Sequence, residues 1–335
     1  MVQLSFGVSG GKPLHEYVAL AQLAESYEFH TFSVFDDLMF KPAWPILFMI
    51  AQHTQRIRLG PSVCNPYLIH PAILAENAAL LDELSGGRAY LGLGRGAFLD
   101  FVGVPTPKPI TAVREAIDLC RRLWKGDASS FDGQMFQATS AAKLQWQPIR
   151  PELPIMVGTW GPQMCRMAGA TADEVKAGSM WSERYGNYMW QHIEAGARDN
   201  QRDPNRVGLV FGPLTSVADD RDQAKHHAKQ TLAFYLPFLA PMPEFLGMEA
   251  EAIDRVRMAT DRGDIDAAVS LISDDILGQF ALYGTPQDLI EQIEHMTATT
   301  KVTRIEFGMP HSPGGSIEAI HLLGRYVLPH FTRQA

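Results

Sequence analysis

Two adjacent carboxylates, Asp36 and Asp37, directly follow a short apolar run, Thr31 to Phe35. Carboxyls this close can raise one another's proton affinity and relay a proton during a reaction. The same pair could instead divide, one capping the following helix and the other solvated. A second kind of chemistry lies in the glycine-bearing turns. Gly158-Thr159-Trp160-Gly161-Pro162 closes one apolar run and opens a helix, with Thr159 suited to capping and Pro162 to the first turn. Main-chain N–H groups and the positive helix end would converge there, which makes either an anion seat or an ordinary capped helix. Gly178-Ser179-Met180 repeats the arrangement one strand later, and two neighbouring sets of N–H groups and hydroxyls would form a phosphate-sized cradle.

Two formal motifs fail in context. Gly92-Leu93-Gly94-Arg95-Gly96-Ala97 satisfies the dinucleotide pattern, but Phe98 to Pro109 holds three prolines and no immediate helix to receive a pyrophosphate. Its glycines let a ring or phosphate approach, with Arg95 as a fixed cation, or they belong to a glycine-rich strand with a surface arginine. Gly7-Val8-Ser9-Gly10-Gly11 matches a nucleophile elbow without a matching acid and base downstream. Its small residues are expected to leave room in a pocket instead.

Composition narrows the classes. The chain has 335 residues, 46% hydrophobic, enough for a sizeable core, and a net charge of −8 with no dense basic run, so nucleic acid is not an expected partner. Cys64, Cys120 and Cys165 are widely spaced, and the eleven histidines show no ligating pattern, so neither a disulfide framework nor a metal is expected. The N-terminus lacks the basic start of a secretory signal, and no apolar run reaches membrane-spanning length; a cytoplasmic protein that does not engage a membrane is expected.

The elements that must carry these residues alternate. Strands are read at Val2 to Val8, Thr31 to Phe35, Ile57 to Val63, Ala89 to Leu93, Pro154 to Val157, Asp173 to Ala177, Val207 to Val217 and Val302 to Gly308. Helices are read at Pro13 to Tyr27, Pro45 to Thr54, His70 to Leu84, Ile110 to Lys125, Pro162 to Gly169, Ser182 to Asn200, Asp219 to Phe238, Thr285 to Thr297 and Ser316 to Leu328. Eight strands with intervening helices predict an α/β fold, a (β/α)8 TIM barrel in a single domain over 1–335, whose site lies in the loops after the strands. Insertions are read after strand four (127–154, with a hairpin-like turn at Phe131 to Gln134) and, as a helical segment, after strand seven (about 240–282).

Leu59 to Pro71, Leu81-Asp-Glu-Leu-Ser-Gly-Gly-Arg88 and Gly158 to Pro162, in this order, resemble the luciferase-like monooxygenase superfamily, above all its deazaflavin-dependent methylenetetrahydromethanopterin reductase branch. The resemblance implies a homodimeric barrel that holds a flavin-like tricycle against a bulge after strand three. It also implies a non-prolyl cis peptide, which here falls at Ser62-Val63 before Cys64. The turns at Gly158 to Pro162 and Gly178 to Met180 would then hold the phosphate side. Two departures stand out: the branch often carries Asp-His where this chain has Asp36-Asp37, and an acidic residue where it has Ala97. Gly94-Arg95-Gly96 is instead similar to FMN-using members, whose arginine meets the flavin phosphate.

The expected activity is hydride transfer between coenzyme F-420 and a C=C or C=N bond of a small organic substrate, with Asp36 or Asp37 handling the proton. An FMN-dependent monooxygenase and a flavin-binding protein without turnover are the alternatives. Trp146, Phe238, Phe245 and several methionines make the two insertions apolar, which suits a hydrophobic or planar ligand.

Overall fold

The computed structural model describes residues 2–332. In chain order the elements are β1 (Gln3–Val8), α1 (Leu14–Ser26), β2 (Thr31–Val34), α2 (Ala43–Ala51), β3 (Arg58–Pro61), α3 (Pro71–Ser85), β4 (Leu91–Gly94) and α4 (Pro109–Lys125). A small hairpin, β5 (Phe131–Asp132) with β6 (Gln137–Ala138), occupies the first insertion. Then follow β7 (Ile155–Gly158), α5 (Pro162–Thr171), β8 (Glu174–Gly178), α6 (Glu183–Asp199), β9 (Gly208–Gly212), β10 (Leu214–Val217) and α7 (Arg221–Tyr235).

The second insertion is helical, as expected. It folds into α8 (Met242–Phe245), α9 (Ala250–Asp261), α10 (Ile265–Ser270) and α11 (Asp274–Phe280), and it ends in a strand that sequence reading missed, β11 (Ala281–Gly284). After α12 (Pro286–Thr299) and β12 (Val302–His311) comes α13 (Gly315–Leu322). The predicted last helix is interrupted by a π-helical turn at Leu323–Val327. The predicted seventh strand is two pieces, because Pro213 has no N–H to continue the ladder; its carbonyl accepts from Gly308 instead.

The chain divides into two compact units, one comprising Gly7–Lys176 with His192–Gly208, the other Met1–Phe6, Ala177–Gln191 and Leu209–Ala335. In the first unit, β2 runs parallel to β3 with Val34 opposite Pro61, and β4 runs parallel to β7 with Gly94 opposite Gly158. The strand β7 in turn pairs with β8, and isolated bridges at Leu59↔Ala89 and Cys64↔Leu93 join the β3 and β4 segments. This register gathers the carboxyl ends of five strands on one rim, where a parallel sheet leaves its loops free to carry chemistry.

The DELSGGR segment turns out to be scaffold. Gly86 closes α3 in the left-handed conformation at φ 67°, which glycine adopts without a Cβ clash. Arg88 then donates to Ile57 O (2.6 Å), Thr54 O (2.8 Å) and Ala51 O (3.2 Å), which ties the end of α2 and the connection to β3 onto the end of α3. Asp82, buried, accepts from Arg150 and from the Ala89 amide (3.1 Å), which fixes where β4 begins.

In the second unit β12 runs parallel to both β9 and β10, and β10 also pairs with β11. Two charged side chains are fully buried here: Arg304 donates to Glu306 (3.2 Å) and to Ser5 Oγ (3.2 Å). Among the described residues no helix is long and apolar enough to cross a membrane.

Candidate active site

Alternation along β2, β3, β4 and β8 puts every second side chain on one face of the first unit's sheet. At its deepest level Arg58 pairs with Glu174 (2.8 Å) and lies over the Tyr90 ring (4.5 Å). One step higher, Tyr90 donates to Ser33 Oγ (2.7 Å), and a Cβ on Gly60 would sit 2.5 Å from the Tyr90 ring, so only glycine fits beside it. At the rim, Lys176 Nζ donates to Ser62 Oγ (2.7 Å) and stands 4.7 Å from the centre of the Phe35 ring.

Lys176 is a site residue that sequence reading missed. The signal was there: it is a lysine between Val175 and Ala177 in a parallel strand, and all three are buried. A buried ammonium ion needs compensation, which Ser62, the Phe35 π-face and the nearby Asp37 carboxylate supply.

The two aspartates separate. Asp36 Oδ1 accepts the Ala43 amide (3.0 Å) at the start of α2, so this carboxylate does the capping. Asp37 is half-buried and its carboxyl is pushed up to about 6. Burial is the main cause; Lys176 pulls the value down, and Asp36 pushes it up. A carboxyl poised there can give or take a proton near neutrality. Cys64 is buried beside Asp36, and burial pushes its thiol well up, so it is neutral.

The glycines of β4 have a different job from the one the motif suggested. Ser62-Val63 is a cis peptide, where the resemblance implied one. The Val63 side chain fills the space that side chains would otherwise take: a Cβ on Gly94 would meet Val63 at 2.6 Å, and one on Gly158 would meet it at 3.0 Å. A Cβ on Gly92 would meet the Pro61 carbonyl at 2.1 Å. These glycines seat the Val63 segment. Gly94→Ala is therefore expected to cost about 1 to 3 kcal/mol through overpacking, measured by urea denaturation, with Gly103→Ala, which has open space but φ 69°, as a backbone-strain comparison. Arg95 is exposed just beyond, near enough to Tyr67 for its charge to act on that phenol. The four-residue 3-10 turn at Leu99–Val102 is too short to receive a pyrophosphate, in keeping with the failed dinucleotide motif. Gly10 leaves no pocket either, since its Cβ would lie 2.4 Å from the Lys41 carbonyl.

The turn after β7 also differs in detail from expectation. Gly161, not Thr159, is the N-cap of α5; Thr159 Oγ1 accepts from the Gly161 amide (3.1 Å), and the Thr159 amide is spent on Lys176 O (2.9 Å). Pro162 stands at the first position, no side chain caps the positive end of α5, and a Cβ on Gly161, next to half-buried Trp160, would have no neighbour within 4 Å. The remaining predicted residues, Gly178, Ser179 and Met180, belong to the second unit. There Ser179 (φ 48°) spends its amide on Gly212 O (2.7 Å), Met180 is fully buried with its sulfur accepting from Ser182 (3.0 Å), and Gly178 has open space where a Cβ would be. Among the described residues no group of three potential ligands gathers for a metal.

Comparison with known proteins fits this arrangement. A family model described as luciferase-like monooxygenase matches residues 2–303. A 5,10-methylenetetrahydromethanopterin reductase of Archaeoglobus fulgidus is 30% identical over 322 residues, covering 94% of this chain and 95% of its own. A coenzyme F-420-dependent glucose-6-phosphate dehydrogenase of Nakamurella multipartita is 28% identical, covering 94% and 91%. The solved coenzyme F-420-dependent tetrahydromethanopterin reductase of Methanopyrus kandleri superposes with a TM-score of 0.90 at 27% identity, covering 99% of this chain and 100% of that one. That likeness establishes the alternating α/β barrel class expected from the sequence.

Proposed function

Because the chain belongs to the luciferase-like monooxygenase family, we propose that it is an oxidoreductase using coenzyme F-420 to move a hydride to or from a small organic substrate. The observation that carries the reading is the Asp37 carboxyl, poised at about 6 beside the only buried ammonium ion described at this rim. Bound at this rim, the coenzyme would supply the hydride acceptor or donor. The chain handles what accompanies it. In the oxidising direction the ionised Asp37 takes the proton that leaves the substrate's oxygen or nitrogen; in the reducing direction the neutral carboxyl returns it.

The residues suit such a coenzyme. An uncapped helix end at Gly161-Pro162, with open space in front of Gly161, fits an anionic phosphate, and Arg95 offers a cation on the same unit's rim. Within the Ser62-Val63-Cys64 segment, half-buried Val63, seated against Gly94 and Gly158, offers an apolar contact for a planar ring. Ile73, Leu80 and Leu84 lie exposed along α3 and support a homodimer as part of this reading.

The substrate is a small organic molecule with an oxidisable C–H beside oxygen or nitrogen, or the corresponding C=O or C=N bond. A panel of alcohols, amines and reduced pterins, offered with oxidised coenzyme F-420, tests this by loss of the coenzyme's visible absorbance. Bleaching with one substrate class supports the reading. Oxygen consumption with reduced FMN, and no bleaching, overturns it in favour of the monooxygenase that Gly94-Arg95-Gly96 resembles.

A further inference from the structure

We propose that Lys176 is the positioning residue of this rim, tying the Ser62 segment after β3 to the Phe35 segment after β2 so that the Asp37 carboxyl and the Val63 segment keep one fixed relation. Lys176 is itself buried, and two segments reach it: Ser62 Oγ at 2.7 Å after β3, and the Phe35 ring at 4.7 Å after β2, two residues before Asp37, on whose carboxyl its charge acts. The other cation on these strands, Arg58, is engaged with Glu174 at the deeper level. An ammonium ion tied to a hydroxyl on one side and an aromatic face on the other has little freedom, so its charge acts on Asp37 from a fixed point. The charged groups acting on Asp37 are Lys176 from β8 and Asp36 from its own loop; the Cys64 thiol next to Asp36 is neutral. Without Lys176, burial and Asp36 would both favour the protonated form and nothing charged would oppose them.

The proposal deepens the coenzyme reading by naming what controls its proton, and its test does not need the coenzyme. Carbon-13 NMR of aspartate-labelled, coenzyme-free protein follows the Asp37 carboxyl, assigned by Asp37→Asn. In Lys176→Met the titration point is expected to rise by about one pH unit or more. Lys176→Arg should restore most of it, and Ser62→Ala, which frees the ammonium ion while keeping its charge, should shift it less. Should Lys176→Met not fold, Lys176→Gln keeps a donor for Ser62 without the charge and makes the same test. An Asp37 titration that stays within about 0.3 unit in a folded, uncharged variant overturns the proposal. If coenzyme F-420 fails to bind while Asp37 still shifts, the coenzyme reading falls and this one stands; if the coenzyme binds and Asp37 does not move, the reverse holds.

Discussion

Replacing Asp37 by Asn is expected to slow coenzyme reduction by about 10² to 10⁴-fold, the usual worth of a positioned proton acceptor. The loss should fall on kcat/KM and be largest above pH 6, and the acidic limb expected of the wild-type enzyme near pH 6 should disappear. The same substitution should make the protein more stable. The folded carboxyl sits at about 6, above its ordinary value of 3.8, so the folded state holds this proton more tightly than the unfolded chain does. Stability from this group is full below pH 4 and is lost as pH rises from about 4 to 6. At pH 8 the ionised carboxylate is therefore a burden that Asn lifts, by roughly 2 to 3 kcal/mol; at pH 4 the two proteins should match. Thermal unfolding at the two pH values reads this directly. Equal activity, or equal stability at pH 8, would show that Asp37 is an ordinary solvated carboxylate.

The second large effect lies away from the rim. Arg150→Met is expected to cost about 3 to 5 kcal/mol, because it leaves the Asp82 carboxylate in the interior without its cation. The Asp82 side chain is only 1% exposed, and Arg150 Nε donates to its Oδ2 at 2.8 Å. The carboxylate then keeps the Ala89 amide, 3.1 Å from its Oδ1, as a donor. Asp82→Asn with Arg150→Met should recover part of that loss, since the pair then leaves no buried charge. Guanidinium denaturation of the two single variants and the double variant measures the coupling. Additive losses would contradict it.

What the sequence made legible follows from how directly each feature is written in residue types. Strand and helix order was readable because apolar runs of period 2 and 3.6 alternate through the chain. The α3 stop was readable because Gly86 is one of the few residues at ease in the left-handed conformation. The strand β11 was missed because it is only four residues, Ala281–Gly284, and directly follows a helix; its pairing with β10 is a long-range fact that no local pattern encodes.

At the site, the glycines were found for the wrong reason. Gly94 and Gly158 read as places where a ligand could approach, and the approaching group is the chain's own Val63. The roles of Asp36 and Asp37 could not be separated in sequence, because which one reaches Ala43 depends on how the loop turns toward α2. Lys176 was overlooked because a strand read as apolar hides a single charged residue; only its neighbours Ser62 and Phe35, more than a hundred residues away, show what it does.

The most direct measurement is a fluorescence titration of the purified protein with oxidised coenzyme F-420 and, separately, with FMN. A dissociation constant for coenzyme F-420 in the micromolar range or below, at least about tenfold tighter than for FMN, is the predicted result. Preference for FMN, or no saturable change with either, would contradict the account.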